Sequence, residues 1–127
     1  MDYKLLLEKA SQARDAAYAP YSGFKVGAAL LTPEGDVYTG CNIENASYGL
    51  SICAERTALF HAVSQGAREF SAVAIAATPG VTPCGACRQV LAEFSPDADV
   101  VTLTKEGSMD IKKVRQLLPA FFSLNKG

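Results

Sequence analysis

The chain has 127 residues, a length typical of one domain, and 49% of them are hydrophobic, so a core needs no disulfide or metal to complete it. Its 12 Lys and Arg residues stand against 13 Asp and Glu residues, with no long run of either sign. This balance excludes a nucleic acid polymer as the main ligand, because phosphate binding needs a clustered basic face, but leaves a single nucleotide or nucleoside open.

The amino-terminal segment, MDYKLLLEKASQ, has a short apolar run that an acid precedes and no cleavage site follows, so we expect a helix start and not a signal peptide. No run approaches the ~18 apolar residues of a membrane span. We therefore expect no membrane partner and a cytoplasmic location. In that compartment cysteines serve more often as metal ligands or catalysts than in disulfides.

The hydrophobic pattern predicts an α/β order of elements. In chain order these are a helix over 2–18, strands over 26–32 and 36–43, a helix over 53–65, a strand over 72–77, a helix over 84–94, a strand over 99–104, a short strand over 109–114 and a helix over 114–122 that Pro119 breaks. Because residues 72–77 are wholly apolar, we expect that strand to be buried. The order predicts one domain over residues 1–127 with a central sheet.

Three of the four cysteines lie at predicted helix starts. Cys84 and Cys87 form a C-x-x-C within PCGAC, and Cys53 opens the helix of residues 53–65. The positive end of a helix favours the thiolate and hence metal binding. Two such ends meeting at one edge of a sheet would bring three thiolates together. That set suits a catalytic zinc site, which takes three protein ligands and keeps the fourth position for water.

Glu55 and Arg56 follow Cys53 on the same helical turn. The carboxylate could reach the metal-bound water without being a ligand, take a proton from it and deliver that proton to a substrate. Zinc with three thiolates is net negative and would acidify its water poorly. A guanidinium that donates to the sulfurs would withdraw charge and restore the effect, which gives Arg56 a charge-tuning role.

Other interpretations remain open at this point. A C-x-x-C alone also suits a redox pair or half of a structural zinc site. A closed structural site needs a fourth ligand, and the spare thiol, Cys41, ends a predicted strand, where a small buried hydrophobe is more typical. The single histidine, His61, lies about two turns beyond Cys53, too far to coordinate the same metal. One histidine also excludes an H-E-x-x-H metalloprotease.

The spacing of CAER and, 30 residues later, PCGAC resembles the zinc-dependent cytidine deaminases in the three-cysteine form of their signature. The segments AYAPYSGFKVGAALL, GCNIENASYGLSICAERTALF and SPDADV also resemble the small, homotetrameric type, over about residues 10–104. The resemblance implies a three-layer α/β/α sandwich around a central mixed five-stranded sheet, one Zn²⁺ per subunit, and a homotetramer with shared active sites.

The resemblance also implies a reaction. It is the hydrolytic deamination of cytidine and 2′-deoxycytidine to uridine and 2′-deoxyuridine, with release of ammonia, in pyrimidine salvage. A zinc-bound hydroxide attacks C4 of cytosine, while Glu55 protonates N3 and later carries a proton to the departing ammonia.

Substrate contacts follow from the same resemblance. Asn42 and Glu44, within NIEN, would hold the ribose through its 3′-hydroxyl, and a period-two pattern puts them on one face. A capped turn at the strand end is the alternative. Phe24 would lie on the pyrimidine ring, or is an ordinary loop or core phenylalanine. Ala54 and the region of Cys84 would contact the base through backbone groups.

Two further residues are implied at a neighbouring subunit's site. Tyr48 would enter that pocket, with packing at a helix edge as the alternative, and Phe122 would help to close it. The carboxyl terminus departs from the family, which usually has Gly-Ala-Phe after LLP where residues 119–122 read PAFF. The segment between Leu103 and Val114 is a few residues short, so we expect a stunted last strand.

Three functions are therefore weighed. The first is the nucleoside deaminase. The second keeps the chemistry but acts on a modified or aminoacyl cytosine nucleoside of the blasticidin type, whose substituted sugar would crowd Asn42 and Glu44. The third is a non-catalytic, zinc-stabilised binding module, which would have a closed metal site and no need of Glu55. A polynucleotide deaminase is disfavoured because the chain lacks a basic groove for flanking phosphates.

Overall fold

The computed structural model describes residues 1–78 and 80–124, and within them four α-helices accompany five strands. The elements are α1 (Tyr3–Arg14), β1 (Gly27–Leu31), β2 (Val37–Cys41), α2 (Ala54–Ser64), β3 (Ala72–Ala76), α3 (Gly85–Phe94), β4 (Asp99–Leu103), β5 (Met109–Lys113) and α4 (Val114–Leu117). A single 3₁₀ turn, Tyr48–Leu50, precedes α2. No helix in these two ranges is long and apolar enough to cross a bilayer.

The strands form one mixed sheet in the order β2-β1-β3-β4-β5. β3 and β4 are parallel and are joined through α3, whereas every other neighbouring pair is antiparallel. A parallel pair needs such a crossover connection. The predicted five-stranded mixed sheet is therefore confirmed, and β3 is buried along its whole length, as its apolar sequence predicts.

Helices cover both faces of the sheet. On one face, Leu6 and Ala10 of α1 pack in a buried cluster with small side chains such as Ala29 and Ala74. On the other face, Leu59 of α2 and Leu91 of α3 belong to a second and larger buried cluster. This arrangement confirms the three-layer sandwich, and it places the amino-terminal ends of α2 and α3 on the same side of the sheet.

Glycine lets α2 lie directly against the edge strand β2. A Cβ atom built on Gly40 would lie 2.4 Å from the backbone nitrogen of Ala58 and 2.9 Å from its Cα. Both are backbone atoms of α2, so no side-chain rotation can relieve the overlap. The spacing between this strand and the helix that follows Cys53 is thus set by backbone contact.

The first helix is shorter than expected. It begins after Asp2, whose carboxylate accepts a hydrogen bond from Lys4 N at 3.0 Å, and it ends at Arg14 and not near residue 18. Although Ala16 and Ala17 continue the apolar spacing, Tyr18 N instead donates to Asn42 O at 3.0 Å. This tertiary hydrogen bond draws the chain out of the helix and toward the strand end that carries Asn42.

The expectation of a stunted last strand is wrong. All five residues of β5 pair with β4, from Asp99 opposite Lys113 to Leu103 opposite Met109. The two strands are connected by a turn over 104–108, in which Thr104 N donates to Ser108 O at 2.8 Å. The last helix, α4, stops at Leu117, short of the predicted break at Pro119.

Candidate active site

The predicted cysteine cluster forms where α2 and α3 begin. Cys53 and Cys84 each precede a helix with extended backbone, and neither side chain caps its helix. Cys87 lies one turn into α3 and is fully buried. The sulfur of Cys84 lies 3.9 Å from that of Cys53 and 3.4 Å from that of Cys87, and the three sulfurs lie within 4.8 Å of one another.

These separations fit a zinc ion. Tetrahedral zinc with Zn–S bonds of about 2.3 Å holds its sulfur ligands about 3.8 Å apart, close to the observed values. Cys41 and His61 do not join the group, and the Nδ1 atom of His61 lies 3.4 Å from Thr39 O instead. Within residues 1–78 and 80–124 the group has three sulfur donors, the ligand number that leaves a catalytic zinc one position for water.

Charge in the cluster also suits a cation. The hydrogen bond from the Cys87 thiol is the main cause that lowers the pKa of Cys53 to about 5, and Arg56 adds to it while partial burial opposes it. The same hydrogen bond, together with burial, raises the pKa of Cys87. Ionisation of Cys53 is therefore favoured and that of Cys87 disfavoured, and a divalent cation is the partner that would let both sulfurs ionise together.

Arg56 lies where the charge-tuning role requires it. Its Nη2 atom donates to Cys53 Sγ at 3.5 Å. Its Nε atom is buried and has no hydrogen-bond partner among the residues that the structure describes.

A cavity of about 380 Å³ opens beside the cysteines, within the size range of small-molecule sites. Of the residues predicted to act in the site, those that line it are Phe24, Asn42, Glu44, Tyr48, Cys53, Ala54, Glu55, Arg56 and Cys84. The sequence did not point to the others, which are mostly apolar: Val26, Ser51, Ile52, Ile75, Val81 and Thr82. Val26, Ser51 and Ile52 lie within segments that resemble the family, where nothing singles them out, and the other three lie outside those segments.

Glu55 is the acidic group closest in sequence to the cluster, and its side chain is almost completely buried at 5% exposure. Burial raises the pKa of its carboxyl above the ordinary value, with the charge of Cys53 acting in the same direction. A carboxyl whose pKa is raised holds a proton more readily than an ordinary one, which suits a group that both accepts and returns protons. The structure thus places a buried carboxyl with a raised pKa on the wall of the cavity.

Asn42 and Glu44 line the cavity and also fasten the loop between α1 and β1. Asn42 Oδ1 accepts from Val26 N at 2.9 Å, and its Nδ2 donates to Phe24 O at 2.8 Å. Glu44 Oε1 accepts from Tyr21 N at 3.0 Å and from a second amide of the same loop. Both side chains therefore have a structural role, as the capped-turn alternative supposed, because they hydrogen-bond to the backbone of this loop. They also line the cavity.

Tyr48 and Phe122 are both largely exposed, at 77% and 70%. Tyr48 lies on the cavity of its own chain. Phe122 does not line that cavity, and its carbonyl accepts a hydrogen bond from Gln89 Nε2 at 2.9 Å. The roles of both residues toward a neighbouring subunit stay predictions.

A three-sulfur zinc site with a buried carboxyl beside a small-molecule cavity defines a zinc-dependent hydrolase. The family profile described as "Cytidine and deoxycytidylate deaminase zinc-binding region" matches residues 1–104. The chain is 52% identical to cytidine deaminases of Sporosarcina psychrophila and Halalkalibacterium halodurans, in each case over 97% of this chain and 93% and 96% of the relative. The crystal structure of cytidine deaminase from Burkholderia pseudomallei superposes with a TM-score of 0.92 at 50% identity, covering 96% of this chain and all of that one. The chain therefore belongs to the cytidine deaminase family.

Proposed function

We propose that this chain catalyses the hydrolytic deamination of cytidine and 2′-deoxycytidine to uridine and 2′-deoxyuridine, in pyrimidine salvage. The observation that carries the proposal is the cysteine cluster beside buried Glu55, both facing one cavity of small-molecule size. The identity of about one half to cytidine deaminases over nearly the whole chain supports this substrate class.

Cys53, Cys84 and Cys87 would hold one Zn²⁺. When bound, the ion lowers the pKa of a coordinated water and so provides a nucleophile near neutral pH. Arg56 supports this chemistry by acting on the sulfur ligands and not on the substrate, because its guanidinium donates to Cys53 and offsets the charge of the thiolates.

Glu55 is proposed to move the protons. Its carboxylate takes a proton from the attacking water and delivers it to N3 of the base, and it then carries the second proton to the amino group on C4. The C4–N bond breaks, the water oxygen stays on C4 as the carbonyl, and the nitrogen leaves as ammonia. The raised pKa of the buried carboxyl matches this alternating use.

The base and the sugar would meet different walls of the cavity. Phe24 would lie against the pyrimidine ring. Ala54 begins α2, so its N–H has no acceptor within the helix and can donate to the base. Glu44 would accept a hydrogen bond from the 3′-hydroxyl and the amide of Asn42 would donate one to it; cytidine and 2′-deoxycytidine share this hydroxyl.

The decisive experiment mixes zinc-loaded protein with cytidine, 2′-deoxycytidine and 2′,3′-dideoxycytidine and follows the ultraviolet change to the uracil product. We expect turnover of the first two and a loss of kcat/KM between about tenfold and a hundredfold for the third, because it lacks the hydroxyl that Glu44 would bind. No turnover of cytidine with one zinc per chain confirmed would overturn the proposal. Turnover restricted to aminoacyl cytosine nucleosides would favour the blasticidin type instead.

We also propose a cytoplasmic homotetramer whose subunits share active sites. None of the four cysteines forms a disulfide, as is usual in a reducing compartment. Tyr48 and Phe122 expose large aromatic surfaces that a second subunit would cover.

Sedimentation should give the mass of four chains of 13.4 kDa, and Tyr48→Ala should lower activity while the chain stays folded. A fully active monomer would contradict the shared sites.

A further inference from the structure

Ser22 is the residue that joins two walls of the cavity, although its own side chain does not line it. The Ser22 hydroxyl donates to Glu44 Oε2, and its own oxygen, Ser22 Oγ, accepts a hydrogen bond from Phe24 N at 3.0 Å. Glu44 and Phe24 are both cavity-lining residues. One hydroxyl therefore links the carboxylate proposed to bind the sugar with the backbone of the aromatic proposed to lie on the base.

Two backbone amides of the same loop also donate to the Glu44 carboxylate. Tyr21 N and Ser22 N donate to Glu44 Oε1 at 3.0 and 3.1 Å, so one oxygen is occupied by backbone and the other by the hydroxyl. Both amide donors belong to the loop and would remain after removal of the hydroxyl. The Oε2 atom, in contrast, would lose the only loop donor that fixes its direction among the residues that the structure describes.

We infer that Ser22 is a positioning residue for nucleoside binding, which orients Glu44 and Phe24 together through its hydroxyl. The inference rests on the proposed function, because it assumes that these two residues bind the sugar and the base. Ser22 is exposed and belongs to no helix or strand, so its hydroxyl has no part in the core. Its effect should therefore appear in substrate binding and not in the stability of the fold.

The test compares Ser22→Ala and Ser22→Thr with the wild type, using cytidine as the substrate. We expect Ser22→Ala to raise KM on the order of tenfold, the size expected for a lost hydrogen bond to a charged group. The value of kcat should stay within about twofold, because the lost interaction stabilises the bound substrate and the transition state equally. Ser22→Thr keeps the hydroxyl and should return KM to near the wild-type value. Ser64→Ala is the matched control, since Ser64 is also exposed and its hydroxyl donates to His61 O at 2.7 Å at the end of α2.

A double substitution tests whether Ser22 acts through Glu44. Coupled residues give a combined effect that differs from the product of the single effects. We expect Ser22→Ala combined with Glu44→Ala to raise KM by less than that product. Three results would each overturn the inference: an unchanged KM in Ser22→Ala, a loss confined to kcat, or an effect of the double substitution on KM equal to the product of the single effects. If the wild type is active, the proposed function stays intact in all three cases. An inactive wild type would overturn both.

Discussion

Glu55→Gln should abolish turnover while zinc and the fold remain in place. The amide keeps the size of the buried side chain but cannot take a proton from water, so the loss in kcat should be about 10²- to 10⁴-fold, the usual contribution of a positioned general acid–base group. The thermal midpoint should not fall, because burial disfavours the charged form of the carboxyl and glutamine removes that charge.

The measurement has three parts: kcat on cytidine, zinc per chain and the thermal midpoint. Glu106→Gln is the matched control, since Glu106 is an exposed acid in the turn before β5 and should leave all three values unchanged. A Glu55→Gln protein with more than a tenth of the wild-type kcat would rule out the proton-carrying role. Loss of zinc from this variant would instead show that the carboxyl helps to hold the metal.

Cys84→Ala is expected to remove zinc, activity and thermal stability together. One of three sulfur ligands is lost, and a metal that binds only the folded chain contributes its binding free energy to folding. Cys84 is exposed, so loss of its thiol removes little buried surface, and a lower midpoint would report the metal and not the packing.

Cys41→Ala provides the matched comparison for that experiment. Cys41 is more buried than Cys84 but lies outside the three-sulfur group, so its replacement should leave zinc content and turnover unchanged. Metal analysis and calorimetry on both variants separate the two effects. Full zinc occupancy in Cys84→Ala would contradict the ligand assignment, and zinc loss in Cys41→Ala would require a fourth sulfur ligand.

The parts of the molecule that local patterns control were predictable from the sequence. The two central strands β1 and β3 have no polar side chain, and the cysteine group follows from two helix starts that share one side of the sheet. The end of α1 was not predictable, because the hydrogen bond from Tyr18 to Asn42 joins residues 24 positions apart. Nor was Ser22, since its partner Glu44 lies 22 positions away and no motif connects them.

The prediction of the length of the last strand was wrong for a different reason. A short segment was expected to cost strand residues, but β4 and β5 pair along all five residues and a tight turn connects them, where Gly107 adopts a φ of 85° that a residue with a side chain rarely takes. Paired strand residues gain hydrogen bonds along the sheet, whereas turn residues can be removed with little loss. Insertions and deletions between β4 and β5 are therefore absorbed outside the sheet.

The contact at Gly40 limits how this cavity could be engineered. Backbone lies against backbone there, so α2 has no adjustable distance from the sheet, and a designer who wished to admit a larger heterocycle could not obtain room by shifting that helix. The adjustable walls are the ones that loops provide, and they include Phe24, Val81 and Thr82. A library aimed at new substrates would best vary those three positions and leave the strand–helix seam untouched.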